Sequence, residues 1–348
     1  MPMTQALRRG GWLALLPACA TAQYAPTPND SLQFYGRLDL SINVQKVEDA
    51  PSRKSLSSDT SWFGVRGTER LGGPLSAYFK MEHGFDASTG QQTSAAAFWN
   101  RETFVGIRHD DLGSIELGSQ WVPAIYMTGK VDPFARSQIG AHLTLFQGVA
   151  ARGNAVQFSN AIEYTTPTLG GFSARVMLQA PEGTLNKNRA LGIDYAGDRL
   201  YVGLAYDDVQ VAGSTLGVPA VANTRSRNLG IGATYRLDGV KLAAFAQQNR
   251  VHGLPSVNGY LLGATVPVGT GEIRASAAHT DRAGKQASLF AIGYAHHLSK
   301  RTMAYVDAGL LKNGGTARYA MWPASQEFGA PPPGSDIRGV QIGVRHVF

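Results

Sequence analysis

Only 16% of the chain's 348 residues are charged, whereas soluble proteins average about 25%. No apolar run approaches the roughly 18 residues of a membrane-spanning helix, so entry into a bilayer would require a closed β-barrel. The net charge of +7 is spread singly along the chain, which argues against a nucleic-acid-binding protein and agrees better with attraction of anions.

The first 22 residues have the features of an export signal. Two arginines precede a short apolar core over residues 12–20, and the small residues at 20–22 predict cleavage before Gln23. Lipid attachment at Cys19 is the alternative. Cys19 is the only cysteine, so the predicted mature chain, residues 23–348, offers neither a disulfide nor a cysteine metal site.

The first mature segment alternates cleanly between apolar and polar residues, as a strand does when only one of its faces is apolar. One face carries Phe34, Gly36, Leu38, Leu40, Ile42 and Val44. The other face carries Tyr35, Arg37, Asp39, Ser41, Asn43 and Gln45. In a membrane barrel the apolar face meets lipid and the polar face lines a wet interior.

Later segments repeat this pattern, and their connections alternate in length. Seven short turns rich in Gly or Asp alternate with longer polar or Pro-rich stretches. The longer stretches lie near residues 46–57, 86–98, 122–155, 180–189, 208–225, 250–257, 280–286 and 312–336. This alternation predicts sixteen antiparallel strands in an all-β transmembrane barrel, with the terminal strand ending at Phe348 paired to the first.

The interior of such a barrel distinguishes a membrane pore from a soluble fold. About eight strands already give an interior that side chains can fill, whereas sixteen leave an aqueous channel. The predicted inward set includes Arg37, Arg66 and Lys80, and burying such charges without water would cost more than the net stability of a domain. We therefore expect a water-filled pore.

The 34-residue stretch 122–155 shows no sustained alternation, which is unusual for a connection without a function. We expect this third external loop to fold into the lumen and narrow it. The candidate pore-lining residues accordingly come from the inward strand faces and from this loop: Arg37, Asp39, Arg66, Lys80, Glu82, Arg101, Lys130, Asp132, Arg136 and Arg152. The alternative for the strand cations is that they pair with Asp39, Glu82 and Glu116 and only stabilise the wall.

Several motifs resemble one family. SWFGVRGTERLGGPL at 61–75 is similar to the second strand and first turn of the general trimeric porins of Gram-negative outer membranes, in their β-proteobacterial branch. The run at 99–123, followed by VDPF, resembles the strands that lead into that family's constriction loop. Further matches are NAIEYTTPTLGGF at 160–172, LSKRT at 298–302 and GVRHVF at 343–348.

The resemblance implies a homotrimer in the outer membrane that passes small hydrophilic or anionic solutes and contacts lipid and lipopolysaccharide. The family often has Arg, or a second acid in the last case, at positions that here hold Trp62, Ser119, Gln157, Glu163 and Arg70. The expected preference for anions is therefore weak.

Other functions have less support in the sequence. No GxSxG motif or metal-binding histidine spacing occurs, so neither an enzyme nor a cofactor is expected. The adjacent His296 and His297 point to opposite faces of a strand and cannot chelate one ion. The long loops at 208–225 and 312–336 leave an adhesin or receptor barrel as the alternative to a pore.

Overall fold

The computed structural model describes residues 31–146, 155–180, 188–212 and 223–348. These residues form seventeen β-strands and three short helices. The strands are β1 Ser31–Val47, β2 Arg53–Ser58, β3 Trp62–Gly72, β4 Leu75–Gly84, β5 Thr103–His109, β6 Gly113–Trp121, β7 Gln157–Thr165, β8 Phe172–Gln179, β9 Arg189–Ala196, β10 Leu200–Ala212, β11 Asn223–Leu237, β12 Val240–Val251, β13 Val257–Val268, β14 Gly271–Asp281, β15 Ala287–His297, β16 Thr302–Asn313 and β17 Ile337–Val347. The helices are α1 Pro123–Val131, α2 Leu143–Phe146 and α3 Ser325–Phe328.

The strands close into one antiparallel barrel. Consecutive strands pair with each other, except that β2 and β3 both pair with β1, and β1 pairs with β17 from Arg37 opposite Val347 to Val47 opposite Ile337. The backbone of Phe348 also exchanges hydrogen bonds of 3.1 Å with Gly36. The predicted pairing of the terminal strand with the first is confirmed, and closure removes the unpaired sheet edges that lipid cannot satisfy.

The second barrel strand is interrupted, which the sequence pattern did not predict. Its upper part, β2, pairs with residues 40–45 of β1, and its lower part, β3, pairs with residues 31–37. Thr60, between the two parts, has a positive φ of 62°. The barrel therefore has sixteen strands, as predicted, but the expected loop at 46–57 was wrong in its second half. The polar sequence RKSLSS forms a strand because β1 supplies its hydrogen-bonding partner.

Strands also extend beyond their predicted boundaries elsewhere, at the expense of the expected loops. β10 runs to Ala212 and β11 begins at Asn223, so strand structure extends into the stretch 208–225 that was expected to be a loop. The segment around Lys241 belongs to strand β12, whereas Arg101 precedes β5 and lies outside any strand. The predicted signal segment 1–22 lies outside the described residues.

The two faces of the wall differ as predicted. Apolar side chains are exposed at alternate positions all around the barrel, for example Ile42 at 60%, Ile231 at 50% and Ile342 at 61%. Between them, inward positions such as Asp39, Asn43 and Gln341 are fully buried. In the described part of the chain, no helix is long and apolar enough to cross a membrane.

Candidate constriction site

Residues 122–146, which we call loop 3, form helices α1 and α2 and lie against inward-facing glycines of the wall. Pro123 covers Gly192, and Met127 lies over Gly203 and Gly232. Further along the loop a proline and one aromatic ring, those of Pro133 and Phe146, cover two more wall glycines. A Cβ at Gly232 would lie 2.8 Å from the Val131 side chain. The missing side chains therefore create the space that loop 3 occupies. These glycines occupy the inward positions of the alternating strand pattern, next to outward apolar residues such as Ile231.

A buried carboxylate organises the turn after α1. Asp132 accepts hydrogen bonds from the backbone amides of Phe134 (2.9 Å), Arg136 (3.1 Å) and His142 (3.0 Å), and its Oδ2 lies 3.0 Å from Nδ1 of His142. Burial alone would raise the pKa of Asp132, but the hydrogen bonds from His142 and the amides outweigh it and lower the pKa below its ordinary value. Asp132 therefore stabilises the conformation of this turn.

Arg136 lies at the strained tip of this turn. Ala135 and Arg136 both have positive φ, at 50° and 60°, a conformation that side chains with a Cβ rarely adopt. The Arg136 guanidinium contacts the Thr128 hydroxyl and lies 3.2 Å from Nε2 of His142. Burial lowers the pKa of Arg136 to about 10; Asp132 opposes this shift and the positive charge of Arg101 adds to it.

Arg101 faces loop 3 from the segment before β5. Its guanidinium lies over two indole rings, 5.2 Å from the Trp62 centroid and 5.0 Å from that of Trp121, and its Nε donates to Glu82 at 3.2 Å. The charge of Arg101 acts on both Arg37 and Arg136. Three arginines from β1, the β4–β5 connection and loop 3 thus share one electrostatic neighbourhood.

The acids of this wall lie beneath the cations. Glu82 and Glu102 have side chains only 3% and 2% exposed, whereas Lys80, which pairs with both, is 25% exposed and Arg101 is 23% exposed. Glu102 also accepts a hydrogen bond from the Tyr126 hydroxyl, which links α1 to the wall. The cationic groups are therefore the ones that meet water.

A similar arrangement holds Asp39 and Arg37. Asp39 is fully buried and accepts hydrogen bonds from Arg345 (2.6 Å) and the Tyr305 hydroxyl (2.8 Å). Arg37 is half-buried and donates to the Thr60 carbonyl at 2.9 Å. The acid is therefore paired and buried, whereas Arg37 is partly exposed and bonded to a backbone carbonyl.

The connection between β16 and β17 packs onto loop 3. Trp322 donates from Nε1 to Asp59 (3.0 Å) and to the Ser137 carbonyl (2.7 Å), and its amide donates to Thr144. Arg274, almost fully buried, links Gln138 of loop 3 to Asp307 of β16. Residues 314–336 therefore contribute contacts to the barrel interior.

The remaining predicted site residues lie apart from this cluster. Arg66 is exposed over the Tyr35 ring at 4.6 Å, and Lys130, half exposed, lies 3.8 Å from Asp194. Arg152 lies outside the described residues.

Glu102, Trp322 and Asp59 are the important members that sequence reasoning missed. Glu102 lies in the connection immediately before β5. The contact between Trp322 and Asp59 joins residues 263 positions apart, so no local sequence pattern predicts it.

A family model described as Gram-negative porin matches residues 12–316. The chain belongs to the Gram-negative porin family. This porin is 29% identical to outer membrane porin protein 32 of Delftia acidovorans, over 95% of this chain and 98% of that protein. It is 26% identical to an outer membrane porin protein of Bordetella pertussis, over 86% and 93%.

Solved structures agree with the barrel assignment. The anion-selective porin from Comamonas acidovorans superimposes with a TM-score of 0.79 at 28% identity, covering 92% of this chain and all of that one. OmpT of Vibrio cholerae, in its trimer form, gives a TM-score of 0.66 at 15% identity and supports the fold alone. The porin is thus an outer-membrane channel, and the comparisons favour this function over the adhesin alternative.

Proposed function

We propose that this porin lets small hydrophilic solutes diffuse through a bore narrowed by loop 3, with a weak preference for anions. The proposal rests on the unequal exposure of the two charge signs at the candidate constriction. Arg37, Lys80, Arg101 and Arg136 are partly exposed, while the acids that face them are almost completely buried.

Exposure decides the sign because a permeating ion interacts most strongly with charges that it can approach without intervening protein. Low-dielectric walls focus the field of exposed cations into the channel and raise the local concentration of anions. Buried, paired acids such as Glu82 and Glu102 offset this field at a distance, so the preference remains modest. The anion selectivity named for the Comamonas relative supports the same sign.

The narrowing is supported by the direction in which loop 3 leaves the wall. Its apolar residues lie against glycine positions of β9, β10, β11 and β13, while Tyr126 contacts Glu102 beside β5. Water and solutes are left with the space between Arg136 on the loop and Arg37 and Arg101 on the wall.

The test is a reversal potential across a planar bilayer under a salt gradient. We expect an anion-selective sign for the wild type and a shift toward cations for Arg101→Gln. Lys130→Gln, which removes one charge on the same loop but outside the cluster, is the matched control and should shift the potential less. A cation-selective wild type, or equal shifts for both variants, would contradict the assignment.

We also propose that the porin forms a homotrimer that contacts lipid and lipopolysaccharide with its outer face. The sequence motifs that resemble the general trimeric porins support the assembly. The exposed apolar side chains at alternate positions of the wall support the contact with lipid.

A further inference from the structure

Four arginines and one aspartate form a cluster, which we call the row, on the same face of four neighbouring strands. Asp208 on β10 lies directly opposite Arg189 on β9 and Arg227 on β11. Arg227 in turn lies directly opposite Arg250 on β12. Arg225 lies two residues from Arg227 on the same face of β11.

This row is on the outer face of the barrel, at the end that carries the long connections. Its members alternate with buried inward residues and share their face with the exposed Ile193, Leu229 and Ile231. The long connection 213–222 follows β10 at this end, while the tight turn around Arg199 joins β9 to β10 at the other. In outer-membrane barrels the long connections face the exterior of the cell. The row therefore lies at the level of the outer leaflet's headgroups.

The charges of the row do not balance. Asp208 is fully buried and accepts hydrogen bonds from Arg189 at 3.0 Å and Arg225 at 2.8 Å, with Arg227 at 3.7 Å. The three arginine side chains remain 60%, 40% and 60% exposed. Within the described residues, the exposed Arg250 forms no ion pair, although it faces Arg227 directly, and like charges in opposed positions are destabilising. One carboxylate thus holds a cluster with a surplus of positive charge.

We propose that Arg189, Arg225, Arg227 and Arg250 bind a phosphate group of lipopolysaccharide in the outer leaflet. Guanidinium groups match phosphate with paired hydrogen bonds, and a phosphate between Arg227 and Arg250 relieves their repulsion. Basic clusters beside a hydrocarbon-facing surface are typical sites for anionic headgroups. Immediately below the row, Tyr206 and Leu229 offer an apolar surface to the acyl chains of the same molecule.

This site makes the proposed lipopolysaccharide contact specific and depends on the outer-membrane location of the porin, not on its conductance or selectivity. β9 to β12 lie across the barrel from the β1–β17 seam. The row is thus separate from the candidate constriction, and its binding is measurable without any ion current.

The experiment titrates folded, detergent-solubilised porin against fluorescent lipopolysaccharide and follows anisotropy. We expect Arg227→Gln/Arg250→Gln to bind at least tenfold more weakly, and Arg227→Lys/Arg250→Lys to lie between that variant and the wild type. Arg199→Gln removes one exposed positive charge at the opposite end and should bind like the wild type. Dephosphorylated lipopolysaccharide should bind wild-type porin at least tenfold more weakly than the intact lipid.

Several outcomes would overturn the proposal. These are unchanged binding by the double glutamine variant, equal binding of the dephosphorylated lipid, or complete displacement by millimolar inorganic phosphate, which would make a free anion the ligand. Conductance of the same variants in bilayers without lipopolysaccharide verifies folding and tests the channel function separately. If the double variant does not fold, Arg250→Gln alone decides, with at least threefold weaker binding expected.

Discussion

The position of loop 3 depends on glycines in the wall, and Gly192 on β9 allows the sharpest test. A Cβ added there would lie 2.5 Å from Cβ of Pro123 and 3.3 Å from its Cγ, and a proline ring cannot rotate away. To reach an ordinary carbon contact, the start of α1 must move by about 1 Å. Gly192 does not have a positive φ, so the strand backbone at this position accommodates alanine.

Overpacking of this kind typically costs about 1–3 kcal/mol. Because the clash exists only while α1 is docked, this cost shifts the loop toward displaced positions by about five- to 150-fold, at about 1.4 kcal/mol per tenfold. Gly192→Ala should therefore lower single-channel conductance or increase open-channel noise. The barrel's thermal unfolding should change little, since the backbone hydrogen bonds of β9 remain.

Gly129→Ala is the matched control, because its Cβ would meet only Cδ of Arg136 at 3.8 Å. It places the same methyl group on loop 3 itself without a clash. Both variants are measured in planar bilayers after their folding has been verified. If folded Gly192→Ala conducts and fluctuates like the wild type and like Gly129→Ala, the wall glycines do not position the loop.

Three further predictions concern two other contacts and the export signal. Trp322→Phe removes the hydrogen bonds to Asp59 and Ser137, which costs about 1–3 kcal/mol of stability. Proteolysis within residues 314–336 should therefore become faster than in the wild type. Trp99→Phe is the control, and equal proteolysis rates for the two variants would contradict the contact. Burial lowers the pKa of His142 below 6.5, so the docked loop favours the neutral imidazole. The stabilisation of the docked loop is therefore lost as the pH falls through the lowered pKa. Acidification should increase channel noise in the wild type but less in His142→Asn. N-terminal sequencing of the exported protein should begin at Gln23, and a lipid-modified Cys19 at that terminus would support the alternative.

The sequence alone determined the architecture. Alternation along residues 34–44 and 340–348, repeated between short turns and long loops, specified an all-β barrel because a strand's side chains alternate with a period of two. The inward charges then required water rather than a dry core. These signals are local, and each strand carries its own copy, so individual errors such as the interrupted second strand did not change the count of sixteen.

Only the tertiary structure decided how the candidate constriction is arranged. The sequence identified Arg37, Arg101 and Arg136 as candidates but did not reveal that their charges act on one another, while neighbouring acids such as Glu82 are buried. The inward glycines alternate along their strands with outward apolar residues such as Ile231, and in the sequence they are only members of that pattern. Their contact with loop 3 appears only when distant segments pack together. Contacts between distant segments have no local periodicity, since they depend on the shape of the closed wall.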